Sequence, residues 1–347
     1  MLLQGILPPI TTPFYPDGSV YFKKLEHNVE RYSKTPVAGI VVLGSTGESI
    51  LLSDQERRDV FQCAREHSAP EKVLVAGVGI ESAIETLRLA EHAASLGYDV
   101  AMVRTPHYYK RQMLPANLLA FYRTVADRSP LPVIIYNFPQ ATGYDIPAEV
   151  VIELAEHPNL IGIKESAGVI EKVKKMVEGT RHVQRTATVT EVFNAVTPRM
   201  LAAAGSGDGS DVVPMSSLGG TAVAASPRLK TRSKEVGYQV LVGSAHLLKE
   251  SLDVGAVGAI LAFACAAPTA CYEIYAAWKE GDAALAGEKQ QRIVEASLKV
   301  GGELGVPGIK YAMDWNGYYG GPSRLPFLPL SAAQKAEVER LMADVRN

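Results

Sequence analysis

The sequence predicts an α/β protein built as a (β/α)8 TIM barrel. Three observations lead there. Eight short apolar runs occupy the stretch up to about residue 265. Several are apolar nearly throughout instead of alternating, as strands buried on both faces are. Amphipathic segments with helix-start chemistry lie between them. Strand, loop and helix repeated eight times is the pattern of this barrel. A doubly wound open sheet is the alternative, weakened because no G-x-G-x-x-G opens a first helix.

In chain order the expected strands are Gly5–Phe14, Gly39–Leu43, Val73–Gly79, Val100–Thr105, Val133–Phe138, Leu160–Lys164, Tyr238–Gly243 and Ala256–Phe263. After the second, Ser53-Asp54-Gln55-Glu56 has the form of a capping box ahead of Val60, Phe61 and Ala64. After the third, Ser82-Ala83-Ile84-Glu85 repeats that form, with Gly97 placed to end the helix. A sixth helix is expected at about 169–179. An insertion of about 182–237 then separates helix 6 from strand 7. Within it, Ala203–Asp211 is flexible by composition, and Thr186–Val192 has the β-propensity to form a hairpin. An αβ connection lies on the N-terminal face, opposite the catalytic end, so the insertion is assigned to stability or assembly. Extra helices follow at about 267–280, 282–303, 307–314 and 331–345. The domain reading is a catalytic barrel over 1–265, interrupted by the insertion, and a helical extension over 266–347.

Composition narrows the function. The 347 residues carry 35 basic and 37 acidic side chains, a formal net charge of −2, and 47% hydrophobic residues. The core is sizeable, and nothing in the charge balance favours nucleic acid or an anionic membrane. Cys63, Cys265 and Cys271 are odd in number and lack paired metal-ligand spacing, so small buried thiols in a reducing compartment are expected. The N-terminus has no basic region and is broken by Pro8-Pro9, unlike a signal peptide. The longest apolar run, Ala256 to Tyr272, is interrupted by Pro268 and falls short of a membrane span. The expected location is cytoplasmic.

Lys164 is the residue most suggestive of chemistry. It ends the apolar run Ile161-Gly162-Ile163, where burial disfavours an ammonium and makes a nucleophilic amine able to form a Schiff base with a ketone. Tyr136 ends the preceding strand, 28 residues earlier, about one barrel unit. Side by side they would combine an amine nucleophile with a proton shuttle. The bland alternative has Lys164 paired with a buried acid and Tyr136 merely packing. The second strand ends in Gly44-Ser45-Thr46-Gly47-Glu48, whose amides and hydroxyls suit a carboxylate or phosphate. The fourth ends in Thr105-Pro106-His107-Tyr108-Tyr109. Trp315–Pro322 is a turn-rich loop read as structural. The seven histidines are scattered without ligand spacing near acids, so no metal site is expected.

These segments, with Pro9-Ile10-Thr11-Thr12-Pro13-Phe14, Tyr136-Asn137-Phe138-Pro139 and Gly162-Ile163-Lys164-Glu165-Ser166, occur in the order found in a known family. The chain resembles the pyruvate-dependent class I aldolases of the N-acetylneuraminate lyase and dihydrodipicolinate synthase superfamily. The likeness covers about 5–180 and 238–335. It implies that Lys164 forms the imine with pyruvate or another 2-oxo acid, and that Tyr136 moves protons. It further implies that Ser45 and Thr46 hold the pyruvate carboxylate, that Ser45 joins a relay with Tyr136, and that Tyr108 completes the relay from a neighbouring subunit. A homo-oligomer, dimer or tetramer, follows. Ser166, Gly243 and Ile260 fall at substrate-pocket positions. No cofactor is needed, since the imine is the electron sink.

Dihydrodipicolinate synthases usually carry an arginine where this chain has Ala141, and an alanine cannot grip an acceptor's carboxylate. The segments Gly305–Lys310 and Met313–Arg324 look like 4-hydroxy-2-oxoglutarate aldolases. The best-supported expectation is therefore an aldolase cleaving a 4-hydroxy-2-oxo acid to pyruvate and glyoxylate or a similar small aldehyde. Dihydrodipicolinate synthesis, cleavage of a sugar acid, and hydro-lyase chemistry are the alternatives. A barrel that binds a 2-oxo acid without turnover is the reading from a different class. Arg104, where relatives usually carry an apolar residue, is a candidate contact for the acceptor's distal carboxylate if it faces the barrel mouth. An outward arginine paired with a helix is the competing expectation.

Overall fold

The strands that the apolar runs predict do form, and they close on themselves. The structure is a computed structural model that describes residues 1–205 and 229–345. Among these residues the strands are β1 (Gly5–Ile6), β2 (Gly39–Val42), β3 (Val73–Gly77), β4 (Val100–Arg104), β5 (Val133–Asn137), β6 (Leu160–Glu165), β7 (Arg185–Thr190), β8 (Thr231–Val236), β9 (Gln239–Val242) and β10 (Gly258–Ala259). All but β7 and β8 pair in parallel, in the order β1-β10-β9-β6-β5-β4-β3-β2. The two ends of that sheet meet where Ala38 N–H donates to Ile6 O at 2.9 Å and Ile10 N–H to Val41 O at 3.0 Å. The result is a (β/α)8 barrel. Its first strand is shorter than the run Gly5–Phe14, because Pro8 and Pro9 have no N–H to give a ladder.

Strand alternation sorts the apolar side chains into two cores. Val41, Val75, Met102, Ile134, Leu241 and Ile260 fill the barrel interior. Ile40, Val42, Leu74, Val103, Ile135 and Ile163 face the surrounding helices. The first predicted cap is present. Glu56 N–H donates to Ser53 Oγ at 3.2 Å, and Ser53 N–H to Glu56 Oε2 at 2.8 Å. The second is not. Ser82 makes no side-chain cap, and Glu85 turns instead to Arg88 at 2.6 Å. A charged partner one turn along competes successfully with the helix N-terminus.

The described part of the insertion lies at the N-terminal end of the barrel. Its strand β7 pairs antiparallel with β8, from Arg185–Val236 to Thr190–Thr231, and also makes a single antiparallel bridge to the adjacent segment, Val189 to Ala195. Arg185 donates to the carbonyls of Ala155 and His157 at 2.6 and 2.8 Å, just before β6 begins. Arg199 reaches Ser68 Oγ at 2.9 Å and Asp99 Oδ2 at 3.1 Å, below β3 and β4. Burial pushes the Asp99 carboxyl up and the Arg199 guanidinium down by more than their pairing restores. The expected flexible stretch falls from Ser206 onward outside the described residues.

After β10, helix Pro268–Lys279 packs on β1 and completes the eighth unit, so the barrel runs past residue 265. The chain continues as helix Ala283–Ala296, a π-helical stretch Ser297–Glu303, and helices Gly305–Trp315 and Ala332–Met342. The loop before the last helix returns to the barrel. There Arg324 pairs with Glu56 at 2.6 Å and donates to Gly18 O at 2.6 Å and Leu51 O at 2.7 Å. No described helix is long and apolar enough to cross a membrane.

Two outcomes are expected. Arg199→Ala leaves Asp99 buried without its cation and should destabilise the fold by roughly 3–5 kcal/mol in urea denaturation; a change within 0.5 kcal/mol (about the size of a surface substitution) would mean the insertion is not fastened this way. The hydrogen bond from Arg324 holds Glu56 at about 2 instead of the usual 4.5. A depressed carboxyl adds stability that is complete above 4.5 and lost as pH falls towards 2. Glu56→Gln should therefore be less stable at neutral pH and show a shallower loss of stability across that acid window.

Candidate active site

Strand register brings three side chains to one level. Arg104 on β4 is the Cα partner of Tyr136 on β5, and Tyr136 is the partner of Lys164 on β6. Tyr136 shares its parity with Ile134, and Arg104 with Met102, so each points into the barrel at the C-terminal ends of the strands. Lys164 and Tyr136 are each 4% exposed. The Lys164 Nζ lies 4.1 Å from the centre of the Tyr136 ring.

No carboxylate among the described residues pairs with Lys164, which removes the bland alternative for it. The adjacent acid, Glu165, alternates to the other face. There it accepts from Asn137 Nδ2 at 2.9 and 3.0 Å and from Ala167 N–H at 2.6 Å, and pairs with Lys172 at 3.2 Å. Burial pushes its carboxyl up against these partners. Asn137 is held in turn by Asp145, to which it donates at 2.7 Å. The network fixes the end of β6, and with it the direction in which Lys164 points.

Ser45 closes the arrangement from β2, its Oγ 3.2 Å from the Tyr136 hydroxyl. The loop that carries it turns sharply. Leu43 and Glu48 adopt φ of 61° and 54°, left-handed values that cost a side-chain-bearing residue energy and persist where surroundings enforce them. Thr12 Oγ1 donates to Gly47 O at 2.7 Å. The Glu48 carboxylate is buried against Lys310 at 2.5 Å.

These residues bound a cavity of about 250 Å³ lined by Ser45, Thr46, Tyr136, Lys164, Ser166 and Gly243 among others. Gly243 is required there, since a Cβ would lie 2.0 Å from Ser166 Oγ. That hydroxyl is buried and makes no hydrogen bond. A second chamber of about 350 Å³ shares Ser45, Thr46 and Phe138 with the first. Its walls are largely hydrocarbon, from Ile50, Leu51, Val306, Ile309 and Phe327, and Ala141 adjoins them.

Two sequence candidates fall elsewhere. Ile260 is 1% exposed and belongs to the interior layer with Tyr136, without lining the cavity. Tyr108 is 76% exposed and packs edge-on against Tyr109, away from the Ser45–Tyr136 pair of its own chain. Arg104 faces inward, which decides against an outward arginine; its nearest acid is Glu81 at 3.6 Å. Sequence reasoning missed Phe138, Ala262, Gly301 and Gly302 as lining residues. The paired glycines inside an expected helix were the available signal for the last two. Glu26, Glu30 and His67 form a possible ligand group, on helices outside the barrel.

Comparison with known proteins agrees with this geometry. The model of the dihydrodipicolinate synthetase family matches residues 2–228 and 220–345. A 4-hydroxy-tetrahydrodipicolinate synthase of Methanothrix thermoacetophila is 29% identical over 341 residues, 98% of this chain and 96% of the relative. That of Methanococcoides burtonii is 30% identical over 95% of this chain and 94% of its own. Among solved structures, a prophage protein of the dihydrodipicolinic acid synthase family from E. coli K12, in complex with pyruvate, superposes with a TM-score of 0.78. It is 27% identical over 99% of both chains. A dihydrodipicolinate synthase from Bacillus anthracis, 20% identical with a TM-score of 0.79 over the whole of both chains, shares the fold. The chain belongs to the dihydrodipicolinate synthetase family, and is an enzyme of the pyruvate-dependent, lysine Schiff-base lyase and aldolase class.

Proposed function

We propose that Lys164 forms the imine with pyruvate and that the resulting enamine exchanges a carbon–carbon bond with an aldehyde. The observation that carries this is a buried lysine with no acid partner, lying over the ring of a tyrosine that is itself within reach of a serine hydroxyl. The amine attacks the C2 carbonyl and water leaves. Loss of a C3 proton gives the enamine. Its C3 attacks the aldehyde carbon, and the aldehyde oxygen takes a proton from Tyr136. Hydrolysis then frees the product and restores the amine. Cleavage runs the same steps backwards. Ser45 and Thr46 hold the pyruvate carboxylate, and Ser45 relays the proton of Tyr136. The pyruvate bound to the E. coli relative supports the choice of donor.

The relatives' names favour aspartate semialdehyde as the acceptor, and so dihydrodipicolinate-type synthesis. Ala141 favours the second reading, a 4-hydroxy-2-oxoglutarate aldolase with glyoxylate as the aldehyde, because no arginine stands at that position to grip the longer acceptor. Tyr108 and Tyr109 are exposed, and Tyr108 lines a surface cavity with the exposed Ile50, which supports a homo-oligomer in which Tyr108 reaches the site of a neighbouring subunit.

Borohydride reduction in the presence of pyruvate should add one pyruvate mass to the wild type, mapped to Lys164, and none to Lys164→Ala. No adduct, or one spread over surface lysines, would sink the imine reading in favour of a non-catalytic 2-oxo-acid binder. Tyr136→Phe should still trap pyruvate while turnover falls by about 10²–10⁴; undiminished turnover would remove Tyr136 from proton transfer.

A further inference from the structure

We propose that Arg104 determines acceptor specificity by anchoring the carboxylate of a short aldehyde acid. This rests on the imine reading above and names the class of its second substrate. It covers both acceptors considered there, since each carries a carboxylate.

The position is the first argument. Arg104, Tyr136 and Lys164 stand in a row on adjacent strands, so a group held by Arg104 lies beside the hydroxyl that would protonate the new alkoxide. Arg104 borders both the hydrocarbon-walled chamber and the small space beside Ser45 and Tyr136.

Its bonding is the second. A guanidinium offers five N–H donors. The Arg104 side chain is only 14% exposed, yet it donates no hydrogen bond to any described residue, and its Nε is buried without a partner. Its one ion pair, with Glu81 at 3.6 Å, is longer than a charge-assisted hydrogen bond. Glu81 is held mainly by its other oxygen, and its Oε1, which faces Arg104, makes no hydrogen bond. Its Oε2 accepts from His107 N–H at 2.8 Å and Tyr108 N–H at 3.0 Å, and its Oε1 lies 2.7 Å from His107 Nδ1. Burial pushes the guanidinium down against the pull of Glu81.

The chamber is the third. The other polar groups of its wall lie against partners of their own, Glu48 against Lys310 and His107 against Glu81. A carboxylate entering between Ile50, Phe138, Val306 and Ile309 loses its water and needs a cation. Arg104 is the cation there with donors to spare.

The test uses the full chain with pyruvate as donor and two acceptors of similar size, glyoxylate and glycolaldehyde. In Arg104→Gln the ratio of the glyoxylate KM to the glycolaldehyde KM should rise about tenfold or more. Arg104→Lys should recover part of it. An unchanged ratio overturns the proposal. Glu81→Gln leaves Arg104 in place and removes its competitor, so the glyoxylate KM should fall; a rise overturns the proposal even if Arg104→Gln does not fold. Calorimetric titration of glyoxylate into Lys164→Ala, with and without Arg104→Gln, needs no imine. Equal affinity in the two overturns the proposal. Absence of a pyruvate adduct in the wild type would instead overturn the imine reading, leaving the calorimetric pair to decide the role of Arg104.

Discussion

The buried pair of Glu48 and Lys310 is the constraint on which the catalytic end of the barrel depends. Both side chains are essentially inaccessible, at 0% and 1%. Two charges taken out of water repay their desolvation only where geometry and further hydrogen bonds are good. Here they are. Lys310 also donates to Thr12 O and Pro322 O, each at 2.9 Å, and lies 4.4 Å above the Phe14 ring. Glu48 accepts from Arg324 N–H at 2.8 Å. Burial still pushes the Lys310 ammonium down, so the pair is kept for where it holds things. Glu48 ends the loop that carries Ser45 and Thr46, and Lys310 belongs to the C-terminal extension. The extension cannot detach without stranding a carboxylate beneath the site. Gly320 lets the chain pass close enough for this, since a Cβ there would lie 1.8 Å from Lys310 O.

The two ends of the barrel solve different problems. At the N-terminal end, Arg185 and Arg199 answer strand-end carbonyls and the Asp99 carboxylate, each charge meeting a partner of its own chain. At the C-terminal end, polar groups are left open. Lys164 has no acid, Ser166 Oγ has no partner, and Arg104 has donors unused. Unfilled hydrogen-bonding capacity that converges on one cavity is what a ligand site requires.

Much of this was legible in the chain. The apolar runs around Ile40, Val75, Ile134 and Ile163 read as buried strands because they are short and rich in β-branched residues. The 28-residue step from Tyr136 to Lys164 puts them on neighbours. What was hidden is non-local. Residues 301–302 line the cavity because the extension folds back over the mouth, which local periodicity does not encode. β7 finds its partner across the whole insertion, and no turn signal marks such a pairing. Ser82 fails as a cap because Arg88 takes Glu85, a choice between two weak interactions. Ile260 packs among the interior side chains without lining the cavity, a placement the sequence does not specify.

Alternation along β6 has a genetic consequence. Lys164 and Glu165 are neighbours in sequence with opposite charge, one facing the barrel axis and the other the helices. Adding or deleting a single codon within the strand would exchange them. The interior would then receive a carboxylate beside Tyr136, and Lys172 would meet a second ammonium. A frame-preserving indel of this kind would do more than loosen the catalytic machinery. It would invert the site's polarity, replacing an electron-donating amine with an anion that repels the 2-oxo acid. Point substitution can erode this strand by degrees, but length variation within it is effectively forbidden.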